Sequence, residues 1–204
     1  MIVKSIIEKF GKSYSVDDDT YHMGIHHLLG DAIARRFIGR KTCLDACAGA
    51  GMMAIHLAKY VGKVIAIDIN PAHLEQARRN VATASVSNKV ELISGDVMEI
   101  LRSLGTIDSA FLDPDWAKEG DDKENHVLDL SDMVPPADRL LEKIFRKTEN
   151  VCLRLPKSFD IGLLDDLPKH ETETVYLDGH KKFHCVYFGD LVTNAEMSEL
   201  DISS

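Results

Sequence analysis

The stretch Leu44-Asp45-Ala46-Cys47-Ala48-Gly49-Ala50-Gly51 decides the fold. It closes a β-rich run, Thr42–Ala46, and opens a helical one at residues 52–60. Two glycines at such a junction let the backbone turn tightly and approach a ligand, at the point where open α/β sheets bind ligands. Further β-rich runs at 64–69, 90–94, 107–112 and 150–155 alternate with helical runs at 71–84, 97–104 and 137–147. This alternation predicts an α/β fold with a mostly parallel, doubly wound sheet. Asn70 followed by Pro71 reads as an N-cap and a first-turn proline. The last two β-rich runs, 172–177 and 183–188, flank Asp178-Gly179 and lie too close together for a helical crossover. They predict an antiparallel C-terminal hairpin that completes a sheet of seven strands. Residues 1–40 read as a helical N-terminal extension packed over the carboxyl end of the first strand. Residues 41–191 form the α/β domain, and residues 192–204 are expected to be a disordered acidic tail.

A chain of 204 residues is expected to hold one such domain and to bury a core without staples. No apolar run approaches the roughly 20 residues that cross a bilayer. The segment Met1–Phe10 spaces its apolar residues like one face of a helix and lacks the features of a secretory signal. Cys43, Cys47, Cys152 and Cys185 form no CxxC pair, which argues against a zinc ribbon and against a disulfide scaffold. A reduced, cytoplasmic protein is the expectation. His22, His26 and His27, and His180 and His184 beside Cys185, lack a zinc-ligand spacing, so no metal is expected. The net charge is −9. Three acidic segments, 17–19, 115–125 and 190–204, carry all of that surplus. The remainder is near neutral, which leaves room for local phosphate contacts but argues against a broad non-specific nucleic-acid grip.

The glycine turn fits two cofactor classes. Gly49-Ala50-Gly51-Met52-Met53-Ala54 matches the dinucleotide pattern GxGxxG/A. Charge separates the two. A dinucleotide would place an anionic pyrophosphate near Asp45, whereas S-adenosyl-L-methionine would place an ammonium and a sulfonium there. At about 4 Å and an effective dielectric near 20, the sign of that interaction is worth on the order of 4 kcal/mol either way. Asp68 ends the second β-rich run, 23 positions after Asp45, where a carboxylate can accept both ribose hydroxyls. Asp96, in Ser94-Gly95-Asp96-Val97, could accept the adenine amino group or simply cap the next helix. Three acids at successive strand ends around a glycine turn favour S-adenosyl-L-methionine.

The set DACAGAG, AIDIN and SGDV resembles the class I (Rossmann-like) S-adenosylmethionine-dependent methyltransferases, whose sheets also end in an antiparallel hairpin. The resemblance implies that fold and that cofactor. It carries over Asp45, Gly49, Gly51, Asp68 and Asp96 as cofactor-binding positions, with their neighbours Ala46, Ile69 and Val97.

After the fourth strand, Phe111-Leu112-Asp113-Pro114-Asp115-Trp116 resembles the D/N/S-P-P-Y/F/W loop of enzymes that methylate exocyclic amino groups of bases. Such a nitrogen is a poor nucleophile because its lone pair is delocalised into the ring. Asp113 would accept an amino N–H, Pro114 would fix a carbonyl that accepts the other, and Trp116 would stack on the base for roughly 1–3 kcal/mol. Trp116 as a core residue and Asp-Pro as a simple turn are the plain alternatives. The loop is similar in particular to that of the trimethylguanosine synthase-like enzymes, which methylate guanine N2 of RNA caps. Asn150–Lys157 and Tyr187–Leu191 are also similar to segments of that group. Three departures stand out: Asp115 replaces a second proline, which is expected to loosen the loop, Ala117-Lys118 replaces a Gly-Gly pair, and Asp19-Thr20-Tyr21-His22-Met23 lacks the tryptophan of that group's segment before the helical lead-in.

The implied substrate is RNA or a guanine-containing nucleotide, with a role in RNA processing. Lys157 reads either as a substrate phosphate contact or as a solvated lysine. Arg35, Arg36, Arg40 and Lys41 read either as a steering patch for RNA or as a solvated helix face. Methyl transfer to a small molecule or a protein, or a non-catalytic binding subunit, stays open as an alternative.

Overall fold

Strand β1 (Thr42–Ala46) is buried along most of its length, as a strand covered on both faces must be. The computed structural model describes residues 3–116, 127–193 and 196–204, in two compact units divided between Ile107 and Asp108.

In the first unit three helices precede β1: α1 (Val3–Phe10), α2 (Asp18–Met23) and α3 (His27–Arg35). After β1 come α4 (Met52–Leu57), β2 (Lys63–Asp68), α5 (Pro71–Thr83), β3 (Val90–Ser94) and α6 (Val97–Ile100). The strands run parallel in the order β3-β2-β1, with Leu44 opposite Ile65 and Ala66 opposite Leu92. Asn70 caps α5 as its side chain accepts from the Ala72 N–H at 2.9 Å, and Pro71 fills the first turn. Helix α6 is a single turn, shorter than the expected run to residue 104. Its end tightens into i→i+3 bonds, and the Ser103 hydroxyl bonds the Ile100 carbonyl at 3.2 Å, which competes with helix continuation.

The N-terminal segment is tied to the glycine turn by one buried side chain. Asn80 of α5 donates from Nδ2 to the Ser15 carbonyl (2.8 Å) and to the Ala50 carbonyl (3.0 Å), and its Oδ1 accepts from the Ser15 N–H (2.7 Å). Asp17 closes a capping box with Thr20 at the start of α2, and Gln76 of α5 bonds both residues. Residues 15–20 of the extension are thereby held against α5, beside the turn that follows β1.

In the second unit the elements are β4 (Ser109–Leu112), a 3-10 turn at Leu130–Asp132, α7 (Ala137–Phe145), β5 (Val151–Pro156), β6 (His170–Leu177), β7 (His180–Phe188) and β8 (Met197–Ile202). The strand order is β4-β5-β7-β6-β8. β4 and β5 are parallel, whereas β7 is antiparallel to both β5 and β6. The hairpin expected from Asp178-Gly179 is present. Both residues have positive φ (54° and 71°), as a two-residue turn matched to strand twist requires.

The described strands number eight, not seven, because part of the expected disordered tail forms β8, parallel to β6. Its alternation leaves Ser198, Leu200 and Ile202 half-buried and Glu199 and Asp201 exposed, a period-2 pattern that its acidic composition disguises. The fully buried Glu171 of β6 anchors it, accepting from the Ser198 hydroxyl at 2.6 Å and from the Thr193 N–H at 2.7 Å. All four cysteines are free thiols. Among the described residues no helix is long and apolar enough to cross a membrane, and no group of three potential ligands could hold a metal.

Helices α3 and α4 meet where Gly30 faces His56, so closely that a Cβ on Gly30 would lie 2.7 Å from the imidazole Cδ2. Burial pushes the His56 pKa down to about 4, with Lys59 acting in the same direction and Asp31 against it. A histidine held neutral in this way contributes stability that is complete above its unfolded pKa near 6.5 and is lost as pH falls to about 4. Thermal melts between pH 7 and 4 should therefore show a decline, to which His56 contributes on the order of 3 kcal/mol. His56→Gln should flatten that decline; an unchanged slope would show that His56 is not held neutral.

Candidate functional site

The first unit gathers the glycine turn and its acids at the carboxyl ends of β1, β2 and β3. Asp45 and Ala46 end β1 fully buried. The backbone then turns through three left-handed residues, Cys47 (φ 65°), Gly49 (φ 53°) and Gly51 (φ 79°). The two glycines serve different needs. A Cβ on Gly51 would lie 3.1 Å from the Ala77 Cβ, so this glycine lets α4 and α5 pack together. A Cβ on Gly49 would meet nothing within 4 Å, so this glycine leaves open space over the turn.

Asp68 holds that turn. Its Oδ2 accepts the Gly49 N–H at 2.7 Å and its Oδ1 accepts the Asn70 N–H at 2.9 Å. A carboxylate offers about four acceptor positions, so with a contact from His73 also counted about one remains for a ribose hydroxyl. His73 of α5 adds a contact that sequence reasoning missed. Its Nδ1 lies 3.4 Å from Asp68 Oδ1, and this hydrogen bond raises the imidazole pKa, with Asp17 and Asp19 adding to the effect. The signal was faint: a histidine on the first turn of the helix that follows the acid. Ile69 lies just past β2 and is 71% exposed, an apolar side chain at the rim of the turn. Asp96 caps α6 by accepting the Met98 N–H at 2.8 Å, and Val97 is buried. An open space over Gly49, a braced carboxylate and an exposed apolar neighbour fit an adenosine-bearing cation.

The second unit builds a different cluster at the carboxyl ends of β4 and β5. Asp113 follows β4, and its Oδ2 accepts from Arg154 Nη1 of β5 at 2.7 Å. Burial pushes the Asp113 carboxyl above its ordinary value; Arg154 pulls it down and Asp115 pushes it up. The guanidinium lies over two rings, its Cζ 4.6 Å from the Trp116 centroid and 4.5 Å from that of Phe183 on β7. Phe183 stands opposite Pro156 and Cys185 opposite Arg154, so Phe183 shares a sheet face with the arginine. Each cation–π contact adds about 0.5–2 kcal/mol, and removing one partner of a buried ion pair costs about 3–5 kcal/mol. Arg154 is a second residue the sequence did not reveal, because an arginine in a run such as Val151–Pro156 carries no motif.

Pro114 is buried, and Trp116 is half-buried. Asp115 does not loosen the loop, as its replacement of a proline suggested. Its N–H donates to the Val134 carbonyl at 2.8 Å and its carbonyl accepts the Val134 N–H at 3.0 Å. A proline could not make the first of these bonds, so the departure provides a donor that pins the loop. Ala117 and Lys118 lie outside the described residues. Lys157 is exposed just past β5. Of the basic cluster, Arg35 is paired with Asp31 at 3.0 Å.

Residues 40–191 match the family described as RNA cap guanine-N2 methyltransferase. The chain belongs to this family. It is 34% identical over 107 residues to a release factor glutamine methyltransferase of Mycolicibacterium smegmatis, covering 50% of this chain and 37% of that protein. It is 35% identical over 77 residues to an uncharacterized RNA methyltransferase of Synechocystis, covering 37% of this chain and 16% of that one. The chain thus spans well under half the length of these relatives. A crystal structure from Porphyromonas gingivalis, described as that of a methyltransferase, superposes with a TM-score of 0.74 at 17% identity, over 95% of this chain and 49% of that one. That likeness is one of fold, and it shows the α/β class I architecture expected from the sequence.

For this family member, calorimetry with S-adenosylhomocysteine tests the first cluster. Asp68→Asn should weaken binding by about 10–150-fold, the loss of a charge-assisted hydrogen bond. An unchanged affinity would remove Asp68 from the cofactor site.

Proposed function

We propose that the chain is an S-adenosyl-L-methionine-dependent methyltransferase that acts on an exocyclic amino nitrogen of a nucleobase, guanine N2 of RNA being the favoured position. The observation that carries this reading is the Asp113-Pro114-Asp115-Trp116 loop, where a carboxylate and a lone tryptophan are held together beside β5 in a family described by that chemistry.

In this reading Asp45, Gly49, Asp68, Ile69 and Asp96 bind the methyl donor, with Ala46, Gly51 and Val97 shaping their surroundings. Bound S-adenosyl-L-methionine supplies an electrophilic methyl group on a cationic sulfur. The acidic ends of β1 and β2 suit that cation better than an anionic pyrophosphate. Asp113 accepts one amino N–H and stabilises the positive charge that develops on nitrogen as its bond to carbon forms. The carbonyl of Pro114 accepts the second N–H, and the ring of Trp116 orients the base by stacking. The amino proton passes to water once nitrogen has been alkylated. Holding the nitrogen in line with the methyl group supplies much of the acceleration. Lys157 offers a phosphate contact next to the acceptor loop. A cytoplasmic RNA or a guanine nucleotide is the partner that this chemistry selects.

Incubation of the protein and total RNA with isotope-labelled donor, followed by nucleoside analysis, tests the reading. Label in N2-methylated guanosine is expected. Label in protein alone, or in no macromolecule, would overturn the assignment to RNA. Asp113→Asn should lower turnover by about 10²–10⁴-fold while leaving the affinity for S-adenosylhomocysteine unchanged; wild-type turnover would remove Asp113 from the chemistry.

A further inference from the structure

An acceptor carboxylate is useful only while it is ionised, and the surroundings of Asp113 oppose ionisation. Burial disfavours the anion, and Asp115 on the same loop adds a like charge. Arg154 of β5, at 2.7 Å, opposes both and offsets them in part. The remaining strand on that face, β7, contributes Phe183 and Cys185, whereas His184 alternates to the opposite face, where its ring bonds Thr174 at 3.1 Å. Among the described residues, the charged groups that bear on Asp113 are therefore Arg154 and Asp115.

The same guanidinium does a second thing. Its Cζ lies over the rings of both Phe183 and Trp116, so the ring proposed as the stacking platform rests on the cation that also binds the carboxylate. Acceptor and platform are adjacent in sequence, but nothing in a loop of Asp-Pro-Asp-Trp fixes the spacing of their side chains. The arginine supplies that restraint from a neighbouring strand. Its planar fork can donate edge-on to a carboxylate while its face stacks on a ring, a combination that lysine lacks.

We infer that Arg154 is the positioning residue of the acceptor site, a single side chain that keeps Asp113 anionic and braces Trp116 at a set distance from it. The inference rests on the roles given above to Asp113 and Trp116. Arg154 itself does not contact the base. It sets the pH range over which Asp113 can accept the amino N–H and the orientation of the ring beside it.

Trp116 is the only tryptophan in the chain, so its fluorescence reports on this cluster without any substrate. The full-length protein is titrated from pH 8 downward, with circular dichroism in parallel to confine the range to folded protein. In the wild type, emission should change with a midpoint on the acid side as Asp113 is protonated and releases Arg154. Asp113→Asn should abolish that transition. Arg154→Met should abolish it as well, because no cation is left for protonation of Asp113 to release from the ring. Arg154→Gln replaces it should the Met variant not fold, with the same expected loss. Arg154→Lys should restore a transition with its midpoint near the wild-type value while leaving the emission altered, because charge is restored and stacking is not.

The activity arm reads the acidic limb of kcat against pH with labelled donor and RNA. That limb should move upward in Arg154→Met, with KM for the donor unchanged. A fluorescence transition that survives in Arg154→Met, Arg154→Gln or Asp113→Asn, or an acidic limb of kcat that does not move in Arg154→Met, overturns the inference. If the wild type methylates no RNA, the proposed function fails, and the fluorescence arm still decides whether Arg154 governs Asp113.

Discussion

The first unit is organised around the Asp68 carboxylate. A polypeptide that leaves β1 through left-handed backbone at Cys47, Gly49 and Gly51 has amide N–H groups that no regular element satisfies. Asp68 satisfies one of them at Gly49 and also accepts the Asn70 N–H, and so joins the end of β2 to the turn after β1 and to the start of α5. The open space above Gly49 exists because this carboxylate holds the turn from below and because Gly49 has no Cβ to fill it. Asn80 performs the complementary task from α5, bonding the Ala50 carbonyl and both backbone groups of Ser15. The N-terminal segment is thereby bound to the same turn that the strands present. A residue usually discussed as a ligand-binding acid is thus also part of the framework that shapes its own site.

The second unit applies similar economy with different chemistry. Arg154 carries a charge that a buried strand cannot tolerate alone, and it is accommodated by one carboxylate and two aromatic faces. The loop that bears Asp113 and Trp116 is further pinned by a pair of backbone bonds between Asp115 and Val134. Asp115 looked like a weakness in the motif because a proline is stiffer than an aspartate. The stiffness comes instead from a hydrogen bond that only a residue with an N–H can make.

Much of the fold could be read directly. The strands of both units fall close to the expected runs, and the Asp178-Gly179 turn has the backbone that its residues favour. The errors have a common origin. Residues 192–204 were expected to be disordered because their acids suggest solvation, yet every second residue from Ser198 to Ile202 turns inward, and Glu171, distant in sequence, supplies the anchor. The helix after Asp96 is shorter than its pattern suggested because its end tightens into i→i+3 bonds at Arg102 and Ser103, and the Ser103 hydroxyl shares the Ile100 carbonyl with the Leu104 N–H. Each outcome depends on a partner or a competing bond that periodicity does not encode.

The sequence by itself determined the order of elements, the glycine turn, the acids at the strand ends and the residue types of the acceptor loop. These follow from local rules: positive φ demands glycine, alternation demands a buried strand, and proline and Asp-Gly mark turns. Only the tertiary structure decided what those residues hold. Asp68 is a brace as well as a candidate ligand, Asp96 is a cap, and Arg154 reaches Asp113 and Trp116 across 41 and 38 positions of the chain. Contacts over such separations arise from strand pairing and packing, so no window of sequence contains them.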